Sequence, residues 1–294
     1  MSARPTGTHD TTIHDLGYRR YEGAREGVRG AWRALFAQGF RAMFGLGRPL
    51  KSKAMPAFVL AATMLPCLAT LAASSATKGQ LPILYGNLIE SQLILFVLFA
   101  AAQAPEVISH DQQHRVLPLI LTRDVTRDVY ASARIAAVLS ALLVVCAAPL
   151  LLLYIGEIGI AVDPALAFRT MGAKAGPVIL QALLSAWLIG AIGAAMASMT
   201  ARHAYATASI IGVFLVAAAI SIGLDDLAGV SGDISGFIDP LRSLHKMALI
   251  LFNEKNRAME LTAPPPLWMF TAQAFLIGAA GVLATFWRLR RVRV

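Results

Sequence analysis

The chain has 294 residues, of which 57% are hydrophobic and only 15% charged, with a mean hydropathy of +0.63 and a formal net charge of +9. That apolar content excludes a soluble domain, because it is bunched into runs of the length that crosses the roughly 30 Å hydrocarbon core of a bilayer as a helix. Backbone groups in lipid must satisfy one another, so such runs are helical and the expected fold is an all-α, polytopic membrane protein. Nucleic acid is excluded as a partner, since the arginines are spread over several membrane-flanking segments rather than gathered on one face.

Residues 1–25 form a polar, basic lead, and no signal peptide is expected because the first long apolar run begins near Ala54. Residues 26–53 are predicted to hold an amphipathic interfacial helix. On a helical wheel Val28, Trp32, Leu35, Phe36, Phe40, Met43 and Phe44 share one arc, with Arg41 and Arg48 opposite. Trp32, Phe36, Phe40 and Phe44 are its candidate contacts with membrane lipids or a partner, and Arg29 and Arg33 are placed to reach headgroups. Residues 54–287 make the transmembrane domain, with six spans near 54–75, 84–104, 133–156, 175–199, 204–223 and 266–287.

After the second span the sequence reads "PEVISHDQQHRVLPLIL", and Pro105-Glu106 ends the apolar run. Residues 105–132 are predicted to form a short charged elbow that returns into the third span, with Thr122 and Thr126 as helix caps. His110 and His114 stand four apart with Asp111 after the first, close to the H-E-x-x-H zinc-protease pattern. The acid is one methylene shorter than the Glu of that motif and no third ligand lies nearby, so no metal site is expected.

Further along, Glu90 and Gln92 in the second span are candidate substrate-pathway groups, as intramembrane polar residues are by default, and Glu157 ends the third span. The spacing of Leu241, Leu244, Met247, Ala248, Leu251 and Phe252 predicts an amphipathic helix within the outer segment 224–265, capping the bundle or gating it. Gly190 with Ala194, and Ala274 with Gly278, are small-residue pairs that fit self-association. Cys67 and Cys146 lie in apolar runs and suggest neither disulfide nor metal. Arginines and lysines crowd the segment before the first span, the elbow, the turn at Arg202 and the tail 288–294, which puts both termini in the cytoplasm.

The stretch "APEVISHDQQHRVLPLILTRDVTRDVYASARIAAVL" resembles permease subunits of ATP-binding-cassette (ABC) exporters of the type-2 permease family. The residues that carry the likeness are Pro105, Glu106, Asp111, Leu117, Pro118, Leu119, Leu121, Arg123, Arg127 and Tyr130. "IHDLGYRRYEGAREG" at 13–27 is similar to the lead of an actinobacterial, high-GC branch, so the likeness covers about residues 13–145. Asp124 stands where that family commonly has Pro, and Arg134 where it commonly has Lys.

The resemblance implies that the amphipathic helix is the family's connecting helix and that residues 106–120 are its coupling helix, seated in a groove of a separate ATPase. Glu106, His110, Asp111, Arg115, Arg123 and Arg127 are then the candidate ATPase-coupling residues. It further implies a bacterial inner-membrane efflux permease that is itself no enzyme and pairs with a second permease copy and two cognate ATPases. ATP and Mg would be held on the ATPases, with no cofactor on this chain. The sequence has no G-x-x-x-x-G-K-[ST], so if nucleotide energy drives this protein, another chain is expected to supply it. The alternatives are a self-contained secondary transporter or channel, and a membrane-embedded metalloprotease. Internal repeats and midplane charges, which the first would need, are not found in the sequence.

Overall fold

A computed structural model describes residues 27–77, 81–113, 120, 125–161, 163–228, 235–254 and 266–291. Its helices in chain order are α1 (Gly27–Met43), α2 (Leu50–Ala76), α3 (Tyr85–Val107), α4 (Ser109–Gln113), α5 (Arg127–Gly159), α6 (Pro164–Met199), α7 (His203–Ala228), α8 (Pro240–Leu251) and α9 (Leu267–Arg291). No strand occurs among the described residues, and six helices, with α4 continuing α3, are long and apolar enough to cross a membrane. The protein is therefore an all-α, multi-pass membrane protein.

The spans run longer than the apolar stretches that announce them. The third begins at Arg127 rather than 133, the fourth at Pro164 rather than 175, and the second continues through Pro105 and Glu106 to Val107. At about 1.5 Å per residue, the 33 residues of α5 and 36 of α6 reach well beyond a hydrocarbon core of roughly 30 Å. Hydropathy marks the lipid-immersed part only, whereas hydrogen bonding carries the helix into polar flanks until a cap stops it. Thr126 caps α5 by accepting from the Val129 N–H at 3.4 Å, as the sequence predicts, while Asp163 caps α6 through Ala165 and Leu166. Thr122 lies outside the described residues.

The helix predicted over 26–53 is broken. After Met43 the Leu46 N–H reaches the Arg41 carbonyl at 2.9 Å and the Gly45 N–H reaches the Ala42 carbonyl at 3.0 Å, the paired bonds of a Schellman close. Gly45 and Gly47 have φ of +64° and +85°, and a Cβ on Gly45 would meet the Ser52 carbonyl oxygen at 2.5 Å, so glycine is required there. The chain turns over residues 44–49 and starts α2 at Leu50.

Packing places α3 and α6 at the centre, with 67% and 72% of their apolar windows buried, against 17% for α7 and α9. Helix α5 runs along α6, α9 lies against both α6 and α5, and α1 lies against α5 and α3. The small-residue pairs are used inside the protomer rather than left for self-association. Gly190 receives Leu139 and Leu142 of α5, and Gly278 receives the Trp187 indole of α6. A Cβ on Gly281 would sit 2.8 Å from the Ala191 carbonyl oxygen, so α6 and α9 touch at backbone level there. Cys67 and Cys146 are buried free thiols.

Candidate functional site

Helix ends sort onto two sides of the bundle, and the elbow lies with α1, the start of α5 and the end of α9. At Ile108 the polypeptide bends from α3 into the five-residue α4. The Ser109 hydroxyl donates to the Ala197 carbonyl at 2.7 Å, and Gln112 Nε2 donates to the Ser198 carbonyl at 3.3 Å, so α4 is pinned to the last turn of α6. Those carbonyls lie in the closing turn of α6, where backbone acceptors lack intrahelical partners.

Asp111 is turned inward. The Tyr130 hydroxyl donates to its Oδ2 at 2.8 Å, and Arg134 Nη2 donates to the same oxygen at 2.6 Å. Tyr130 and Arg134 are four apart on α5 and so share a face, with the guanidinium 5.4 Å from the tyrosine ring centre. Arg134 also donates to Gln38 Oε1 of α1 at 3.1 Å. The Arg134 and Asp111 side chains are 3% and 10% exposed. Two charges that deep are tolerated only as a pair, because leaving water costs each several kcal/mol. Asp111 is thus a keystone of the fold in this conformation, not the surface contact expected from the sequence.

The other predicted coupling residues divide. Glu106 pairs with Arg48, just before α2, and lies 3.6 Å from His203 Nε2 at the start of α7. His110 sits half-buried on α4 and has partners of its own. Arg127 is exposed and donates to the Arg290 carbonyl at 2.6 Å, beside an exposed Asp128–Arg290 pair at 2.5 Å. Arg115, Arg123 and His114 lie outside the described residues. Among the described residues no group of three or more His, Cys, Asp or Glu gathers to hold a metal.

Trp32, Phe36, Phe40 and Phe44 stack along α1 with ring centres 5.3, 6.1 and 5.2 Å apart, and Phe44 continues to Phe99 of α3 at 5.8 Å. The Trp32 indole donates to Ser132 of α5 at 3.1 Å. This ladder ties α1 to the protein's own spans as well as offering its edge to lipid. Taken together, the elbow is joined to α1, the turn before α2, α5, α6 and α7. Pushing α4 therefore displaces several spans together.

Glu90 and Gln92 lie elsewhere on α3 and do not converge. Two residues along a helix are about 200° apart. The Glu90 side chain is 62% exposed, 3.5 Å from His245, whereas Gln92 is buried and donates from Nε2 to the Thr63 carbonyl at 3.3 Å and Cys67 Sγ at 3.1 Å.

On the side away from the elbow lies a second cluster, which joins Glu157 and Phe252 to residues that no motif marks. Glu254 accepts from the Tyr85 and Gly86 N–H groups at 2.5 and 2.8 Å and so caps α3 from 168 or more positions away. Burial raises its carboxyl pKa, although those N–H groups and Lys174 oppose the shift. The Tyr85 hydroxyl donates to Glu157 at 2.7 Å and Lys174 donates to Glu157 at 2.6 Å, while Phe252 stacks on Tyr85 at 4.5 Å. Helix α8 docks through Leu244, Met247 and Ala248, and Gln181 Nε2 of α6 donates to its Leu244 carbonyl at 3.2 Å.

His245 of α8 has its pKa lowered by burial; the Glu90 carboxylate opposes this, and Lys246 and Arg242 reinforce it. The docked helix therefore prefers neutral imidazole, and its docking loses stability as pH falls through the ordinary histidine pKa near 6.5. Glu254 runs the other way at more acid pH, its raised pKa favouring protonation in the docked state. Protection of α8 against hydrogen exchange, corrected for the intrinsic pH dependence of amide exchange, is expected to fall between about pH 7 and 5.5, and His245→Gln to flatten that change. Equal pH dependence in both proteins refutes the assignment.

The chain matches no protein-family model and no curated protein sequence.

Proposed function

We propose that the chain is the transmembrane permease subunit of an ATP-driven ABC exporter, in which two copies enclose the substrate pathway and a separate ATPase pair drives them. The observation that carries this reading is the anchoring of α4. Helix α4 is keyed by Asp111, Tyr130 and Arg134 to α5 and by Ser109 and Gln112 to α6. A short lever locked to several spans passes an outside push into the bilayer as rigid-body motion, which is what a motor on another chain requires. The likeness of residues 13–145 to type-2 permeases supports the same role.

In this reading the elbow and both termini face the cytoplasm of a bacterial cell, in keeping with the arginine-rich segments that flank them. ATP and Mg sit on the partner, and this chain catalyses nothing. In this reading, the inward turn of Asp111 leaves partner selection to exposed groups of the elbow such as Gln113, and to Arg115 and Arg123 further along the sequence. Spans without central charges suit a lipophilic or amphipathic cargo. A tagged full-length chain drawn gently from its native membrane is expected to bring an ATPase chain in a one-to-one ratio. Transport by the purified chain alone, in vesicles free of any ATPase, overturns the reading.

A further inference from the structure

The turn that ends α1 builds a cavity of about 370 Å³, lined by Ala34, Ala37, Gln38, Arg41, Ala42, Leu46 and Arg48. Its size falls within the range of about 300–1,000 Å³ usual for small-ligand sites. The Schellman close folds Leu46 and Arg48 back beside the last turns of α1, and three alanines keep the wall shallow. Every polar side chain on the lining has N–H groups to donate. Gln38 spends its carbonyl oxygen on Arg134, leaving the amide NH₂. Arg48 gives one nitrogen to Glu106 and keeps other N–H groups, while Arg41 makes no ion pair among the described residues.

No carboxylate lines the cavity; Arg48 is paired with Glu106, and Arg41 is the lining charge with no ion pair among the described residues. An anionic acceptor with several oxygens fits, and a phosphate meets that description bidentately at each guanidinium. Position selects the source. The cavity opens beside the start of the α2 span, Leu46 on its rim is 52% exposed, and Lys51 and Lys53 follow in the first turn of α2. We infer that this cavity between α1 and the 44–49 turn binds the phosphate headgroup of an anionic phospholipid. The inference rests on the membrane-spanning fold and not on the exporter reading. Arg48 contacts Glu106 directly, and Gln38 contacts Asp111 through Arg134, so the bound headgroup is linked to two acids of the elbow, to Glu106 by one residue and to Asp111 by two.

Binding of fluorescent phosphatidylglycerol to the full chain in neutral micelles tests this, with phosphatidylcholine and inorganic phosphate as competitors. Arg41→Gln is expected to weaken binding about fivefold, the worth of one arginine at an anionic surface. Ala37→Glu, which sets a carboxylate in the wall, is expected to weaken it about tenfold or more. Arg169→Gln removes an exposed charge of α6 outside the cavity and is expected to change little. Both altered positions are exposed, so folding is expected to survive, checked by thermal unfolding. Wild-type affinity in the Arg41 and Ala37 variants overturns the site, as does an equal loss in the Arg169 variant. Displacement by inorganic phosphate at matched concentration assigns the cavity to free phosphate and overturns the lipid.

Discussion

Asp111→Ala is expected to destabilise the protein by about 3–5 kcal/mol, read from equilibrium unfolding in mixed micelles. The change leaves Arg134, 3% exposed, as a buried charge whose remaining contacts are Gln38 and the Tyr130 ring. Tyr130 loses its acceptor as well. Asp111→Asn keeps the shape but not the charge, so it is expected to recover only part of the loss. Replacing the pair together, Asp111→Leu with Arg134→Met, is expected to come closer to wild type than either single change, because no charge is then stranded. A protein carrying Asp111→Ala with unchanged stability refutes the keystone role. The same loosening frees α4 from α5, so transport is expected to fall even where folded protein remains.

Gly278→Leu is the second large effect. Any Cβ there overlaps the Trp187 indole, which already donates to the Phe275 carbonyl at 3.3 Å and stacks on the Phe275 ring. Overpacking of that kind costs about 1–3 kcal/mol, and here the indole also loses its acceptor when it moves. Gly281→Ala tests the same seam differently, because the obstacle is the backbone of Ala191, which no rotamer change can clear. Both variants are expected to unfold earlier while eluting at the wild-type assembly mass, since the seam lies within one protomer. A change of oligomeric state without loss of stability returns these glycines to the self-association role that their spacing suggests.

The candidate site was partly legible. The elbow stood out because a charged stretch interrupts an apolar chain, and the likeness to type-2 permeases rested on its residues. Tyr130 and Arg134 were both noticed, one within the pattern and one as a departure from it. Neither was joined to Asp111, because nothing in linear sequence states which way an acid on a five-residue helix faces. Glu254 carried no signal at all. Its role depends on α8 and the following turn bringing a carboxylate to the start of α3, a pairing across 168 positions.

Composition and the spacing of apolar runs determined by themselves that this chain is helical, that it crosses a membrane six times, and that α1 and α8 are amphipathic. The cause is the solvent: lipid forbids unpaired backbone and fixes the length of an apolar helix, and both constraints act on local sequence. Tertiary packing alone decided which small residues serve α6 against α9 and that Asp111 looks inward, whereas local caps such as Thr126 and Asp163 set where helices begin. Those outcomes depend on close approach and on matching buried charges, and a partner for each is supplied by a segment remote in the chain.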